Sequence, residues 1–130
     1  ADATIPIMIH IACGGQNEKS VKFFDKMVAR DVKFDVIGQS YYPKHHGTLD
    51  ELTFNLNDLA KRYSRPVIVV EYQELKKEVN EIVSKIPNGL GIGTFIWEPT
   101  NSMWGGLFDR QGKTTESMKL YDEFWNSLKK

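Results

Sequence analysis

The sequence predicts an α/β fold in which four βα units build a parallel four-stranded sheet with flanking helices. Short β-rich runs alternate four times with longer segments of helical spacing, and at least two runs are apolar without alternation, which is typical of strands buried on both faces. Such units form either an open doubly wound sheet or part of a TIM (β/α)8 barrel. A complete barrel needs roughly 200 to 250 residues, so a chain of 130 residues supplies about half of one.

The strands are predicted from runs rich in aliphatic and β-branched residues. These runs occupy residues 5–12, 33–40, 66–71 and 91–97. The third, PVIVVE, and the fourth, GIGTFIW, are the runs without alternation. Pro6, Lys33, Pro66 and the sequence NGLG stand at the beginnings of the runs and are typical of turns. The amino ends of the strands are therefore expected to carry connections rather than chemistry.

The helices are predicted from apolar residues at three- and four-residue steps. They occupy residues 17–30, 48–63, 74–85 and 114–128. The second is the clearest, because Thr48 and Glu51 form a capping box ahead of an apolar stripe. This stripe comprises Leu52, Leu56, Leu59 and Tyr63. The third helix is expected to be short, since Pro87-Asn88-Gly89 is a stop signal.

The composition excludes several classes of partner. Seventeen basic and seventeen acidic side chains cancel, so neither nucleic acid nor a membrane surface is expected to bind. A single cysteine, Cys13, excludes an internal disulfide and a cysteine-rich zinc site. Three histidines lack the spacing of metal ligands, so no metal or other cofactor is expected. The apolar runs, of about five residues, predict no membrane span, and the first ten residues predict no signal peptide.

The residues that follow the predicted strands share one chemistry. The carboxyl ends of parallel strands are where ligands bind in both candidate architectures. In chain order these ends carry His10 with CGGQN, then SYYPKHHG, then Glu71-Tyr72, then Trp97-Glu98-Pro99-Thr100-Asn101. Aromatic rings that stack on sugars, together with carboxylates near a glycosidic bond, are the expected groups of a carbohydrate site.

Longer motifs point to one family. IHIACGGQN, DVIGQSYYP with HGTLDEL and NLNDLAKRY, PVIVVEY and GTFIWEP occur in this order. They resemble the endo-β-1,4-galactanases of glycoside hydrolase family 53, and the likeness covers nearly the whole chain. The resemblance implies that residues 1–130 form a single half-barrel domain corresponding to strands five to eight. It also implies β-1,4-galactan or galacto-oligosaccharides as substrate and a secreted or periplasmic location.

The same resemblance implies a retaining mechanism with Glu71 as the nucleophile. Tyr41 and Tyr42 match a pair of tyrosines on the sixth strand, one of which would orient the nucleophile by a hydrogen bond that keeps it ionised. Tyr72 would help to shape the surroundings of Glu71. Without the resemblance, Glu71 could instead cap the following helix or form an ion pair with Arg65 or Lys76.

Tyr41 and Tyr42 are also expected to contact substrate, and other positions match residues that would do so. His10 and His46 match family histidines, and Trp97 matches a tryptophan that lies under the sugar. Glu98 is expected either to hydrogen-bond substrate or to have a structural role. His45 stands where many relatives carry tryptophan, so sugar stacking is not expected from this position. The structural alternatives stay open, because His10 could be a core histidine, the aromatic residues could be packing groups, and the histidine loop could simply be exposed.

The acid/base glutamate of the family follows an asparagine on the fourth barrel strand, which would lie before Ala1. Three functions therefore remain: the nucleophile half of a galactanase that is inactive alone, a non-catalytic carbohydrate-binding module, or a purely structural fragment. Half a barrel also leaves two unpaired sheet edges and an apolar concave face. A homodimer that covers this face is expected, with a flattened open sheet or an aggregating monomer as the alternatives.

Overall fold

The computed structural model describes residues 4–100 and 105–129. Asn101, the last residue of the fourth predicted strand-end motif, lies outside these ranges. The strands are β1 (Met8–Ile11), β2 (Val36–Ser40), β3 (Val67–Glu71) and β4 (Gly91–Thr94). The helices are α1 (Asn17–Val28), α2 (Pro43–His46), α3 (Leu49–Tyr63), α4 (Lys76–Ser84) and α5 (Glu116–Leu128), with a short 3-10 helix at Pro87–Gly89.

The four strands form one parallel sheet in the order β1-β2-β3-β4. The order follows the chain without the reversal of a doubly wound sheet, so the barrel-type alternative is the correct one. The fourth strand ends at Thr94, three residues before the predicted end. Gly93 has a φ of 140°, and the register with β3 shifts beside it, so the chain leaves the ladder before Trp97.

The predicted helices are all present, and the strongest one is capped as expected. The Glu51 amide donates to the Thr48 hydroxyl, while the Glu51 carboxylate accepts from the Thr48 amide. The short helix Pro43–His46 was not predicted, because its four residues are too few to set a period. No helix within residues 4–100 and 105–129 is both long and apolar enough to cross a membrane.

The hydrophobic core lies between the helices and one face of the sheet. Its fully buried members include Phe24, Ile37, Leu52, Leu56, Leu59, Val67, Val69 and Val79. Burying one such side chain contributes roughly 1.5 to 3 kcal/mol. This face therefore fixes the helices behind the sheet and leaves the strand ends available for the site.

The opposite, concave face of the sheet is largely open. A Cβ placed on Gly38 would lie 3.0 Å from the sulfur of Met8 and 3.2 Å from a methyl of Val70, so these residues share that face. A Cβ placed on Gly91 would meet the backbone of Val83 in α4, so Gly91 faces the helices. Its neighbour Ile92 therefore points to the opposite face, away from the core. Met8 is 44% exposed and Ile92 is 52% exposed. An apolar surface of this kind usually marks an interaction site.

We predict that Leu56→Ala lowers the free energy of unfolding by about 2 to 5 kcal/mol, because it leaves a cavity in the packed layer. Phe54→Ala is the matched control, since Phe54 is on the same helix but is 62% exposed. Its effect should stay within about 0.5 kcal/mol. Urea unfolding followed by circular dichroism measures both, and equal losses would contradict the assignment of the core.

Candidate active site

The site begins at an irregularity between β2 and β3. Gln39 pairs with Val69, but the next residue, Ser40, pairs with Glu71 and not with Val70. After one extra residue in a strand, each following side chain points to the face opposite to the one it would occupy in a regular strand. Glu71 therefore lies on the same face as Ser40, whereas in a regular strand it would follow Val69 toward the helices.

Ser40 belongs to the concave face because it follows Gly38 by two residues. The neighbouring strand contributes His10, whose Cβ lies 3.3 Å from the position of a Gly38 Cβ. Its Nε2 and the Ser40 hydroxyl share a hydrogen bond of 2.6 Å. His10 is exposed and thus is not the buried core histidine of the alternative interpretation. His10, Ser40 and Glu71 lie along one edge of the sheet.

The hydroxyl of Tyr42 donates a hydrogen bond to Glu71 Oε1 at 2.9 Å. Burial raises the pKa of the Tyr42 hydroxyl, and the hydrogen bond to Glu71 and the charge of Glu98 raise it further. The hydroxyl therefore keeps its proton and remains a donor. This is the predicted hydrogen bond from one member of the tyrosine pair, and it orients the Glu71 carboxylate.

Tyr41, the other member of the pair, lies in the core. Its side chain is fully buried, and its hydroxyl donates to the Gly47 carbonyl at 3.0 Å. Its amide donates to the Glu71 carbonyl at 2.8 Å. The structure thus places Tyr41 behind the site, where it anchors the backbone of Glu71, and not among side chains that a ligand would touch. Adjacent residues of a strand point to opposite faces, so only one of the two tyrosines can face Glu71. The sequence could not show which one, because a single register step decides it.

His46 is also placed behind the site. It is buried, and its Nδ1 accepts a hydrogen bond of 3.1 Å from the Tyr42 amide, which puts the proton of the neutral ring on Nε2. Burial lowers the pKa of His46, and a backbone hydrogen bond to Ser40 partly opposes this effect. The histidine therefore positions Tyr42, which in turn contacts Glu71.

Trp97 is held next to the site by the residue after Glu71. The Trp97 amide donates to the Tyr72 carbonyl at 2.9 Å, and its side chain is 47% exposed. The Tyr72 ring is fully buried behind the sheet, where its hydroxyl bonds to Thr94 Oγ1 and to the hydroxyl of Tyr121. Asn80 donates to the same hydroxyl at 2.9 Å. Tyr72 thus supports Glu71 and Trp97 through the backbone.

A cleft of about 300 Å³ opens between the loops that follow β2, β3 and β4. Its lining residues are Tyr42, Lys44, His45, Gln73, Glu74 and Trp97. Gln73 was not among the predicted site residues, since a glutamine after a strand carries no distinctive signal. A larger cavity of about 500 Å³ involves Pro87 and Leu90. That cavity lies at the amino ends of the strands, so we assign it no functional role.

Glu98 lies in the exposed loop after β4, in the left-handed region with a φ of 45°. Its charge contributes to the raised pKa of Tyr42, which places the carboxylate in the same neighbourhood. Within residues 4–100 and 105–129, no three histidine, cysteine, aspartate or glutamate side chains form a group that could hold a metal ion. The chemistry assembled here consists of a hydrogen-bonded carboxylate, two aromatic rings, an imidazole and a second, exposed carboxylate.

Comparison with known sequences identifies related proteins. The sequence model of glycosyl hydrolase family 53 matches residues 1–76. A Niallia circulans protein described as an uncharacterized protein in the bgaB 5' region is 37% identical over 163 aligned positions, which cover 89% of this chain and 44% of that protein. A probable arabinogalactan endo-β-1,4-galactanase A of Aspergillus tubingensis is 27% identical, over 74% of this chain and 36% of its own length.

Solved structures give the same fold. The GH53 catalytic domain of Ignisphaera aggregans superposes with a TM-score of 0.78 at 22% identity, over 92% of this chain and 47% of that one. A chain from a study of two fungal β-1,4-galactanases gives a TM-score of 0.78 at 21% identity, over 93% and 48%. The chain thus spans less than half the length of these relatives. Its sheet and helices match about half of the barrel, as the predicted fold class requires.

We predict that acidification destabilises the protein through His46. Its pKa in the folded chain is lowered from the ordinary value of 6.5, so the unfolded chain takes up the proton first. The stabilising contribution is present above about pH 6.5 and is lost as the pH falls toward the folded pKa, by at most about 1.4 kcal/mol per pH unit.

Urea unfolding between about pH 4.5 and 7.5 tests this. In His46→Asn, the Asn side-chain oxygen can still accept from the Tyr42 amide but does not titrate in this range. The difference in unfolding free energy between wild type and His46→Asn should shrink or reverse as the pH falls. A difference independent of pH would show that His46 does not cause the effect.

Proposed function

Because the chain belongs to glycosyl hydrolase family 53, we propose that it is the nucleophile-bearing half of a retaining endo-β-1,4-galactanase, with Glu71 as the nucleophile. In this proposal residues 1–130 form one half-barrel domain, and β1 to β4 correspond to the fifth to eighth strands. The substrate class, β-1,4-galactan and its oligosaccharides, comes from relatives named as arabinogalactan endo-β-1,4-galactanases.

The observation that carries the proposal is the 2.9 Å hydrogen bond from Tyr42 to Glu71 Oε1. A carboxylate nucleophile must be ionised and must point at the anomeric carbon of the sugar. Tyr42 donates to Oε1, and the bond fixes the carboxylate at the carboxyl edge of a parallel sheet, where (β/α) enzymes carry their chemistry. A helix cap or a surface ion pair would require neither feature.

The neighbouring residues fit roles around a sugar. The half-exposed ring of Trp97 provides a face on which the C–H side of the ring would stack. His10, oriented by Ser40, would hydrogen-bond a ring hydroxyl, and Glu98 would accept from another. Tyr41 and His46, first expected to contact substrate, are proposed to act by positioning Glu71 and Tyr42.

The proposal assigns only one of the two carboxylates that a retaining enzyme needs. The second acts as general acid and stands about 5 to 5.5 Å from the nucleophile. In this proposal it stands on the fourth barrel strand, in the half that β1 to β4 do not represent. Losing general acid catalysis costs typically 10² to 10⁴ in rate, so we expect the 130-residue chain to hydrolyse galactan very slowly or not at all.

We predict that Glu71 can nevertheless be trapped as a glycosyl ester. A 2,4-dinitrophenyl 2-deoxy-2-fluoro-β-galactobioside has a leaving group that needs no protonation, so the missing acid should not prevent attack. As Glu71 displaces dinitrophenolate, mass spectrometry of the intact chain should show one added 2-deoxy-2-fluoro-galactobiosyl unit, and peptide mapping should locate it on Glu71. Glu71→Gln should show no adduct because its amide is not nucleophilic.

Tyr42→Phe is the matched control for this experiment. It keeps the ring but removes the hydrogen bond to Glu71, so the trapping rate should fall while the adduct stays on the same residue. An adduct that persists in Glu71→Gln would overturn the assignment. Saturable binding of galacto-oligosaccharides without any adduct would instead favour the non-catalytic binding module.

We further propose that the chain associates with a second copy through its concave face and the edge strands β1 and β4. Met8 and Ile92 expose apolar surface there, and the edges carry unpaired backbone groups. The formal net charge of +0 leaves no overall repulsion between copies.

Light scattering coupled to size exclusion should therefore give about twice the 14.9 kDa mass of the chain at micromolar concentration. Ile92→Lys should shift the population to monomer, because it buries a charge in the interface. Phe54→Lys, a comparable change at an exposed position of α3, should leave the dimer intact. A monomeric wild type would disprove the association.

A further inference from the structure

Asn55 is a fully buried polar residue in the middle of α3. Its Nδ2 donates to the carbonyl oxygen of Gly14 at 2.6 Å and to that of Cys13 at 3.3 Å. Its Oδ1 accepts a hydrogen bond of 3.2 Å from Asn17 Nδ2. A buried amide with partners on both of its polar atoms is held in one orientation. Both donor bonds end on the β1–α1 loop, which comprises residues 12–16.

The β1–α1 loop is hydrogen-bonded in turn to the β2–α2 segment, which we define as residues 40–47. The Gly14 amide donates to the Ser40 carbonyl oxygen at 3.0 Å. Farther along the loop, Gln16 Nε2 donates to the His45 carbonyl oxygen at 2.8 Å. These two bonds lie near the two ends of the segment, so the loop fixes the path of the backbone between them.

Two glycines allow the loop to approach the segment this closely. A Cβ placed on Gly14 would lie 2.6 Å from the Ser40 carbonyl oxygen, and one placed on Gly15 would overlap the carbonyl group of His46. A side chain at either position would force the two backbones apart. The loop and the segment are thus packed backbone against backbone, and a shift of the loop moves the segment as well.

The β2–α2 segment carries the hydrogen-bond donor to Glu71. The hydroxyl of Tyr42 bonds to Glu71 Oε1, and the Tyr42 amide donates to Nδ1 of His46. Three steps therefore connect Asn55 with the carboxylate. The Asn55 amide holds the loop, the loop holds the segment, and Tyr42 within the segment contacts Glu71.

We propose that Asn55 is a positioning residue of the site, which fixes the orientation of Tyr42 through the β1–α1 loop. Its consequence for Glu71 rests on the proposed function, whereas its effect on Tyr42 and His46 requires no catalysis. A residue that contributed to stability alone would lower the free energy of unfolding and leave the geometry of folded molecules unchanged. Measurements on folded protein therefore separate the two roles.

The first measurement is nitrogen-15 NMR of the His46 ring in Asn55→Leu. Leucine has the branched shape of asparagine but cannot donate the two bonds to the loop. In the wild type, the neutral ring should exist as one tautomer with its proton on Nε2, because Nδ1 accepts from the Tyr42 amide. In the folded variant we expect a mixture of the two tautomers, since the Tyr42 amide is no longer held on Nδ1.

The second measurement is the rate of adduct formation at Glu71. This rate should fall about tenfold in Asn55→Leu, because a small displacement of a positioned group weakens catalysis by this much or more. Adding Asn55→Leu to Tyr42→Phe should change the rate by less than about twofold, since the bond through which Asn55 acts is already absent.

Asn57→Leu is the matched control. Asn57 lies in the same helix, but its Nδ2 donates to the Thr53 carbonyl of that helix at 2.8 Å and not to the loop. The same replacement at this position should leave the His46 tautomer and the rate of adduct formation unchanged.

Gln16→Ala decides the question if Asn55→Leu does not fold. It removes the exposed hydrogen bonds to His45 and from Lys19 and leaves Asn55 in place. Because the bond to His45 ties the loop to the segment, the tautomers of His46 should shift in the same direction by a smaller amount. An unchanged His46 ring in Gln16→Ala would break the step from loop to segment and overturn the proposal.

The positioning role and the proposed function fail in different ways. A wild-type His46 tautomer in folded Asn55→Leu, or an equal loss of rate with and without the Tyr42 hydroxyl, would overturn the role of Asn55 even with Glu71 trapped as predicted. A tautomer change in Asn55→Leu with no adduct in the wild type would support the positioning of Tyr42 and remove Glu71 as the nucleophile. A tautomer change with an unchanged rate of adduct formation would overturn the effect on Glu71.

Discussion

The shift in register between β2 and β3 is the constraint on which the site depends. Val69 points into the core, and strict alternation would point Glu71 there as well. The extra residue in β3 pairs Glu71 with Ser40 and brings the carboxylate to the concave edge with His10. Burying an unpaired carboxylate among aliphatic side chains would cost several kcal/mol. The irregularity therefore turns a residue that would oppose folding into one that is available for chemistry.

The same strand end organises both sides of the sheet. Glu71 lies on the concave side, whereas the Tyr72 ring points to the helices and is fixed by Asn80, Thr94 and Tyr121. The Tyr72 carbonyl then binds the Trp97 amide, so the ring of Trp97 is placed by a buried network and not by its own strand. Glu71 and Trp97 thus depend on hydrogen bonds made behind the sheet, which is how a rigid scaffold holds neighbouring side chains in place.

Regular elements could be predicted from the sequence because each repeats a signal many times. The helix from 49 to 63 has a cap and a four-residue stripe, and the uninterrupted run at 66–71 has the length of a strand. Single-residue events have no such repetition. One extra residue in β3, a positive φ at Gly93 and the four-residue helix at 43–46 each leave the hydrophobic pattern unchanged. The roles of Tyr41 and Tyr42 could not be separated for that reason, since one register step decides which of them faces Glu71.

The open concave face and the assignment of only one carboxylate both follow from a sheet of four strands. Different interactions are needed to cover the face and to supply a second carboxylate. In a closed barrel the inward side chains of opposite strands fill the interior, so four strands alone leave Met8 and Ile92 to solvent. A second copy could bury these side chains through apolar contact alone. It would bring another Glu71 that accepts from its own Tyr42, so each copy would repeat the same side chains at the rim. Association can therefore stabilise the half-barrel through apolar contact alone. Covering the face and, under the proposed mechanism, supplying an acid are distinct requirements, and a partner with different side chains at the rim would be needed to meet both.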